Sequence, residues 1–340
     1  MPTFVSFADA LAAESIPRRR HLLLGNGFSI ACRRDIFTYG ALLDRAEFHG
    51  LRPEIRQSFE ALDTRDFEVV MSTLENAATL IHLYAPEHAD LGNQMREDAR
   101  ALREVLVNAI AQSHPEHPFE IDEGAYGAAR RFLSQFGSIY TLSYDLLLYW
   151  AIMHEEVEPA LEFDDGFRQP DDGPAEYVSW DIEKTDGQNV HYLHGALHLF
   201  DAGHELKKFT WSGTEVRLID QVRAALDAGL FPLIVTEGES NKKLEQINHH
   251  TYLARSYRSF AKIGGALYVF GHSLAESDDH ILRLIEKNKV RQLFVSVFGD
   301  PASIENQRII GRAELLAERR PSARPLTVSF FDAEEAQVWG

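Results

Sequence analysis

The chain of 340 residues is 45% hydrophobic and 25% charged, ample for one large α/β domain or two smaller ones and too apolar for a disordered chain. Acidic residues outnumber basic ones by 52 to 34, and the formal charge of −18 works against binding a nucleic-acid backbone. A single cysteine, Cys32, leaves no disulfide and no cysteine-rich zinc module, and the lack of any run of roughly 18 apolar residues argues against a membrane span, so a globular protein of the reducing cytoplasm is expected.

The opening MPTFVSFADALAAESIPRRR has no basic start followed by an apolar stretch, so no signal peptide is expected. It leads into HLLLGNGFS, residues 21–29, where an apolar run of the kind that forms a buried strand meets a Gly-Asn-Gly turn. Gly25 and Gly27, with Asn26 between them, suit a tight turn and a close approach of backbone to a pyrophosphate; Ser29 follows in a helix whose amides would face the anion. Position 30 is Ile where the full dinucleotide fingerprint has a third glycine, and no acidic residue marks a second strand end about 20 residues on. An ordinary strand-to-helix turn is therefore the competing reading.

Residues 40–130 carry no convincing strand. Segments such as FEVVMSTLENAATLIHLYA and NQMREDARALREVLVNAIAQS place apolar residues at i, i+3, i+4 and i+7, which predicts a helical insertion closed by the loop SHPEHPFEIDEG. Next comes GSIYTLSYD, in which Thr141, Ser143 and Asp145 alternate at a strand end before an apolar helix. Asp145 either caps that helix or, with Ser143, hydrogen-bonds a ribose or carboxamide. Residues 162–189, acidic and interrupted by Gly and Pro, predict a loop excursion.

In NVHYLHGALHLF, His194 is followed at once by Gly195; an imidazole takes a proton near neutral pH, and a glycine lets substrate come close. A structural histidine is the plain alternative. His191, His194 and His198 also read as metal ligands, but no acidic partner stands at metalloprotease spacing, and no metal is expected. After FPLIVTEG, the stretch ALYVFGHSLAESDDHILRLI offers Gly271 and Ser273 as nucleotide contacts, while Glu276, Asp278 and Asp279 suit a first helical turn without any ligand. RQLFVSVFGD and PLTVSFF complete the apolar runs. Short runs alternating with helical segments predict a Rossmann-like α/β fold, a mostly parallel sheet with helices on both faces, and ligands beyond the carboxyl ends of its strands.

Taken in order, GNGFS, TLSYD, LHG and FGHSLAESD resemble the sirtuin-like superfamily over residues 21–285, most closely its bacterial branch that hydrolyses NAD in antiphage defence. The resemblance implies a single sirtuin-like domain in which Gly25, Gly27 and Ser29 hold the dinucleotide phosphates. It further implies that Thr141 and Asp145 place the nicotinamide ribose, that His194 is the catalytic base, and that Gly271 and Ser273 contact the adenosine half. Two departures stand out. Ser143 occupies the place of the family's usual Asn, and the four-cysteine zinc module of the deacylases is missing, which makes protein deacylation improbable. The implied activity is cleavage of the nicotinamide N-glycosidic bond, with NAD as substrate and no further cofactor, by a homo-oligomer or a complex with a second defence protein that senses infection. An NAD-binding sensor or structural subunit without catalysis is the alternative, and a dinucleotide-dependent oxidoreductase is a weaker third.

Overall fold

The computed structural model describes residues 2–170, 177–203, 205–210, 216–236 and 240–340. In chain order its strands are β1 (Arg20–Leu24), β2 (Ser138–Thr141), β3 (Phe167–Arg168), β4 (Tyr177–Trp180), β5 (Val190–Tyr192), β6 (Gly195–Asp201), β7 (Leu206–Phe209), β8 (Pro232–Ile234), β9 (Gly264–Phe270), β10 (Lys289–Val297) and β11 (Thr327–Asp332). Six of them form a parallel sheet in the order β11-β10-β9-β1-β2-β5. The other five make an antiparallel sheet in the order β3-β4-β7-β6-β8.

Every residue of β1 is buried, as a strand covered on both faces must be. Successive side chains feed two separate core layers: Leu22, Leu24, Tyr268 and Phe270 enter one, and Leu23, Leu267 and Val269 the other. Helices cover both layers. Phe67–Tyr84 and Ala89–Ser113 bury Val70, Met71, Leu102 and Leu106 in the first, whereas Asp279–Lys287 and Ile304–Glu318 bury Ile281, Ile285, Ala313 and Leu316 in the second. The α/β architecture with a mostly parallel, helix-covered sheet is thus the one the sequence predicts.

The helical block stands between β1 and β2, built from Tyr39–Arg45, Pro53–Ala61, Phe67–Tyr84, Ala89–Ser113 and Glu123–Leu133. Helix Phe67–Tyr84 starts where the Asp66 carboxylate accepts from the Glu68 amide, and buries Phe67, Val70, Met71, Leu74 and Ala78 along one stripe. No described helix is long and apolar enough to cross a membrane.

The second sheet departs from expectation. The acidic stretch 162–189 contributes β3 and β4, while its residues 171–176 lie outside the described residues. Two of its carboxylates beside β3 are paired, Asp164 with Arg168 at 2.5 Å and Asp165 with Lys208 of β7. The run FPLIVTEG yields β8, paired antiparallel with β6 instead of joining the parallel sheet; its Glu237 and Gly238 are outside the described residues. NVHYLHGALHLF divides at His194-Gly195, sending β5 into one sheet and β6 into the other.

Candidate functional site

Chain connectivity creates a cleft at the carboxyl ends of the parallel strands. From β1 the chain reaches its neighbour β2 on one side and later returns at β9 on the other, so β1 and β9 border the point where strand order reverses, the place at which such sheets bind ligands. A cavity of about 750 Å³ opens there. Among the residues expected to act, Gly25, Asn26, Gly27, Ser143, Asp145, His194, Gly271 and Ser273 line it. Ser29 and Thr141 do not; both are buried behind the wall, Ser29 on Asp145 and Thr141 accepting from the Ser143 amide.

The glycines earn their place mainly through backbone packing. The Gly27 amide donates to the Gly271 carbonyl at 2.8 Å, and a Cβ on Gly27 would stand 2.4 Å from the Gly271 Cα. A Cβ on Gly25 would lie 2.5 Å from the Gly271 oxygen, and Gly271 itself has φ +66. The amides of Phe28, Ser29 and Ile30 are also taken, by the carbonyls of Gly25 and Asn26. An occupant of the cleft therefore meets this loop with the first helical amides already bonded. Gly195 is likewise explained by φ +78 and by Leu233, whose oxygen would be 1.7 Å from a Cβ, and not by access for substrate. Gly27→Val is accordingly expected to cost about 1–3 kcal/mol of stability by overpacking, besides any loss of ligand. Urea unfolding checks it, and an unchanged midpoint would mean that the two glycine loops can part freely.

Asp145 is the centre of a compact network. Its Oδ2 accepts from the Ser29 hydroxyl at 2.5 Å and the Ser143 hydroxyl at 2.6 Å, and its Oδ1 accepts from the Leu147 amide at 2.8 Å at the start of helix Leu147–Met153. It thus anchors the first helical turn, as the capping reading expects, and it also lines the cleft.

His194 is buried, and its Nε2 lies 3.0 Å from Nε2 of His280 and 3.9 Å from Oδ1 of Asp278. Around it stands a cluster of charges with no sequence signature. Lys243, fully buried on helix Ser240–His249, reaches Glu68 at 2.7 Å and Asp278 at 3.1 Å, while His272 Nε2 lies 3.0 Å from the other Asp278 oxygen. Burial pushes the Asp278 carboxyl upward, yet the Lys243 ammonium and the His272 hydrogen bond outweigh it and hold Asp278 well below the usual carboxylate range. Burial acts against the Lys243 charge, and the two carboxylates more than compensate, raising its pKa. The Tyr144 hydroxyl, 3.0 Å from Glu68, ties the helical block to the β2 end. Asp278 therefore has a partner as well as a helix start, and Glu68, Lys243, His272 and His280 join the site as residues that sequence reasoning does not reach.

Histidines 191, 194 and 198 do not converge. His191 lies 3.3 Å from Ser256 and 3.2 Å from Ser259, and His198 sits among the rings of Tyr149 and Tyr192. Among the described residues the group that does converge is His194, Asp278 and His280, with ligand-type atoms within 4.8 Å of one another, and the Lys243 ammonium already brings positive charge to that carboxylate. Burial keeps several of these rings neutral, holding His280 and His114 down to about 4 and His191 to about 3. Each such imidazole binds its proton more tightly in the unfolded chain, where its value is near 6.5. Stability is therefore fully present above that value and falls as pH drops from 6.5 toward about 4. Urea midpoints across this window measure the loss; a flat profile would refute neutral burial.

A family model described as "Domain of unknown function (DUF4917)" matches residues 22–339. No curated protein matches the chain.

Proposed function

The chain belongs to the DUF4917 family, and from that footing we propose that it is an NAD glycohydrolase, cleaving the nicotinamide N-glycosidic bond to give nicotinamide and ADP-ribose. One observation carries the reading: strand-end motifs far apart in sequence line a single cavity of about 750 Å³ at the switch point of a parallel sheet. Loss of nicotinamide leaves positive charge on the ribose. A carboxylate at Asp145 stabilises that charge, and a neutral imidazole at His194 accepts the proton of the water that captures the sugar. The same resemblance to sirtuin-like defence enzymes suggests a cytoplasmic effector of abortive infection, held in check until it assembles with itself or with an infection-sensing protein.

The second reading, an NAD-binding sensor or structural subunit, draws support from Asp145. Three hydrogen bonds from Ser29, Ser143 and Leu147 already engage its oxygens, and Ser143 turns its hydroxyl inward where the sirtuin-like enzymes it resembles usually offer an Asn amide. Calorimetric titration with NAD, paired with chromatography of released nicotinamide at rising protein concentration, separates the two. Binding with release supports the hydrolase, and a rate that climbs more steeply than concentration supports control by assembly. Binding without release favours the sensor. Neither binding nor release overturns both, and consumption of reduced nicotinamide absorbance would point to an oxidoreductase.

A further inference from the structure

We infer that His280 is a positioning residue for His194, fixing the imidazole tautomer that leaves Nδ1 of His194 as the base facing the cleft. What that base does rests on the hydrolase reading; the tautomer is a property of the protein alone.

The geometry is that of a ring-to-ring hydrogen bond. The two Nε2 atoms are 3.0 Å apart, the ring centroids 5.2 Å and the planes within 17°, so the imidazoles meet nitrogen to nitrogen in nearly one plane. Both side chains are buried, and burial keeps both rings uncharged, His280 at about 4 and His194 well below its ordinary value. Two neutral imidazoles share such a bond only when one donates and the other accepts. His280 is fixed at two further points: its Nδ1 lies 3.4 Å from the Ser240 hydroxyl, and its carbonyl accepts from the Tyr257 hydroxyl at 3.1 Å. The Ser240 hydroxyl can donate to or accept from Nδ1 and so fits either tautomer of His280. The shared proton is assigned to Nε2 of His194 because that nitrogen has the Asp278 carboxylate oxygen 3.9 Å away, which favours an N–H there, leaving Nε2 of His280 as the acceptor.

A carboxylate is the usual partner that sets a catalytic histidine's tautomer. Here the nearest carboxylate is off that line. Asp278 Oδ1 is 3.9 Å from the His194 nitrogen and holds Lys243 at 3.1 Å, while its other oxygen holds His272. The titratable groups facing the pair from neighbouring elements are Asp278, Lys243, His272 and Asp279. A neutral imidazole therefore does the orienting, and Asp278 supplies negative charge nearby.

Proton accounting is simple. As nicotinamide leaves with the glycosidic electron pair, water oxygen bonds to the ribosyl carbon and one water proton passes to Nδ1 of His194. The resulting imidazolium keeps its Nε2–H on His280, with Asp278 close by, and returns the Nδ1 proton to solvent once ADP-ribose departs.

Nitrogen-15 NMR of histidine-labelled wild-type protein reads the tautomer directly, with His194 assigned by its disappearance in His194→Gln. The expected result is the Nε2–H form at neutral pH. His280→Phe should lose that preference and lower kcat for nicotinamide release on the order of 10²-fold with KM nearly unchanged, while His280→Gln, whose amide oxygen can accept, recovers most of it. The acid limb of the pH profile should shift in His280→Phe and return toward wild type in His280→Gln. Wild-type His194 protonated on Nδ1, or full kcat in folded His280→Phe, overturns the inference. Should His280→Phe fail to fold, the wild-type spectrum still decides. A wild type with the Nε2–H tautomer but no nicotinamide release supports this assignment of the pair and defeats the hydrolase reading instead.

Discussion

On the proposed hydrolase reading, replacing His194 with alanine is expected to lower nicotinamide release from NAD by about 10²- to 10⁴-fold, the range a general base contributes. The cleft wall has two imidazoles, and their bonding separates them. His272 gives Nε2 to Asp278 and accepts the Leu274 amide at Nδ1, so neither nitrogen is left for a substrate. On His194 the Nε2 is occupied by His280, and Nδ1 is the nitrogen that remains for a ligand. Burial keeps the ring unprotonated, while Asp278 nearby acts in the other direction and favours the imidazolium that a base must form. Turnover and urea midpoint should be measured together. A folded variant with undiminished turnover removes His194 from the mechanism.

The largest effect on stability is expected at Lys243. Methionine in its place fills much the same volume but leaves Glu68 and Asp278 buried without their ammonium, and breaking a buried pair by deleting one partner costs about 3–5 kcal/mol. Glu68→Gln added to Lys243→Met removes one of the orphaned charges and should restore part of the loss. The order of urea midpoints, wild type above the double variant above Lys243→Met, is the outcome that tests it. Equal midpoints for wild type and Lys243→Met would show that the cluster contributes nothing to folding.

The parallel sheet was legible because its strands are buried on both faces and read as unbroken apolar runs, HLLL above all. The same signal could not tell which sheet a run would join. PLI of β8 looks like a parallel-sheet strand yet pairs antiparallel with β6, since three apolar residues specify burial and not a partner. Strand-end motifs were legible as places. Their glycines were not legible as reasons: Gly25, Gly27 and Gly195 are small because backbone passes beside them, a cause visible only once Gly271 and Leu233 are in position. The charged cluster lay furthest out of reach. Glu68 and Lys243 stand 175 positions apart and Lys243 and Asp278 stand 35 apart, on three separate helices, so no spacing links them, and each alone reads as an ordinary solvated or helix-starting charge.

The order of strands in the parallel sheet also governs when the site can exist during synthesis. β1 ends at Leu24 but its neighbour β9 begins only at Gly264, and at about 5–20 residues per second a ribosome needs on the order of 10–50 seconds to make what lies between. Until then the edge of β1, with Leu22, Leu23 and Leu24, has no β9 to pair with, and Gly27 has no Gly271 carbonyl to hold its loop. Lys243 and Asp278 are likewise still unmade when the helical block that carries Glu68 leaves the ribosome. A chain interrupted anywhere before its last third therefore releases a fragment without a cleft, so that whatever the cleft binds can be held only by a nearly finished molecule.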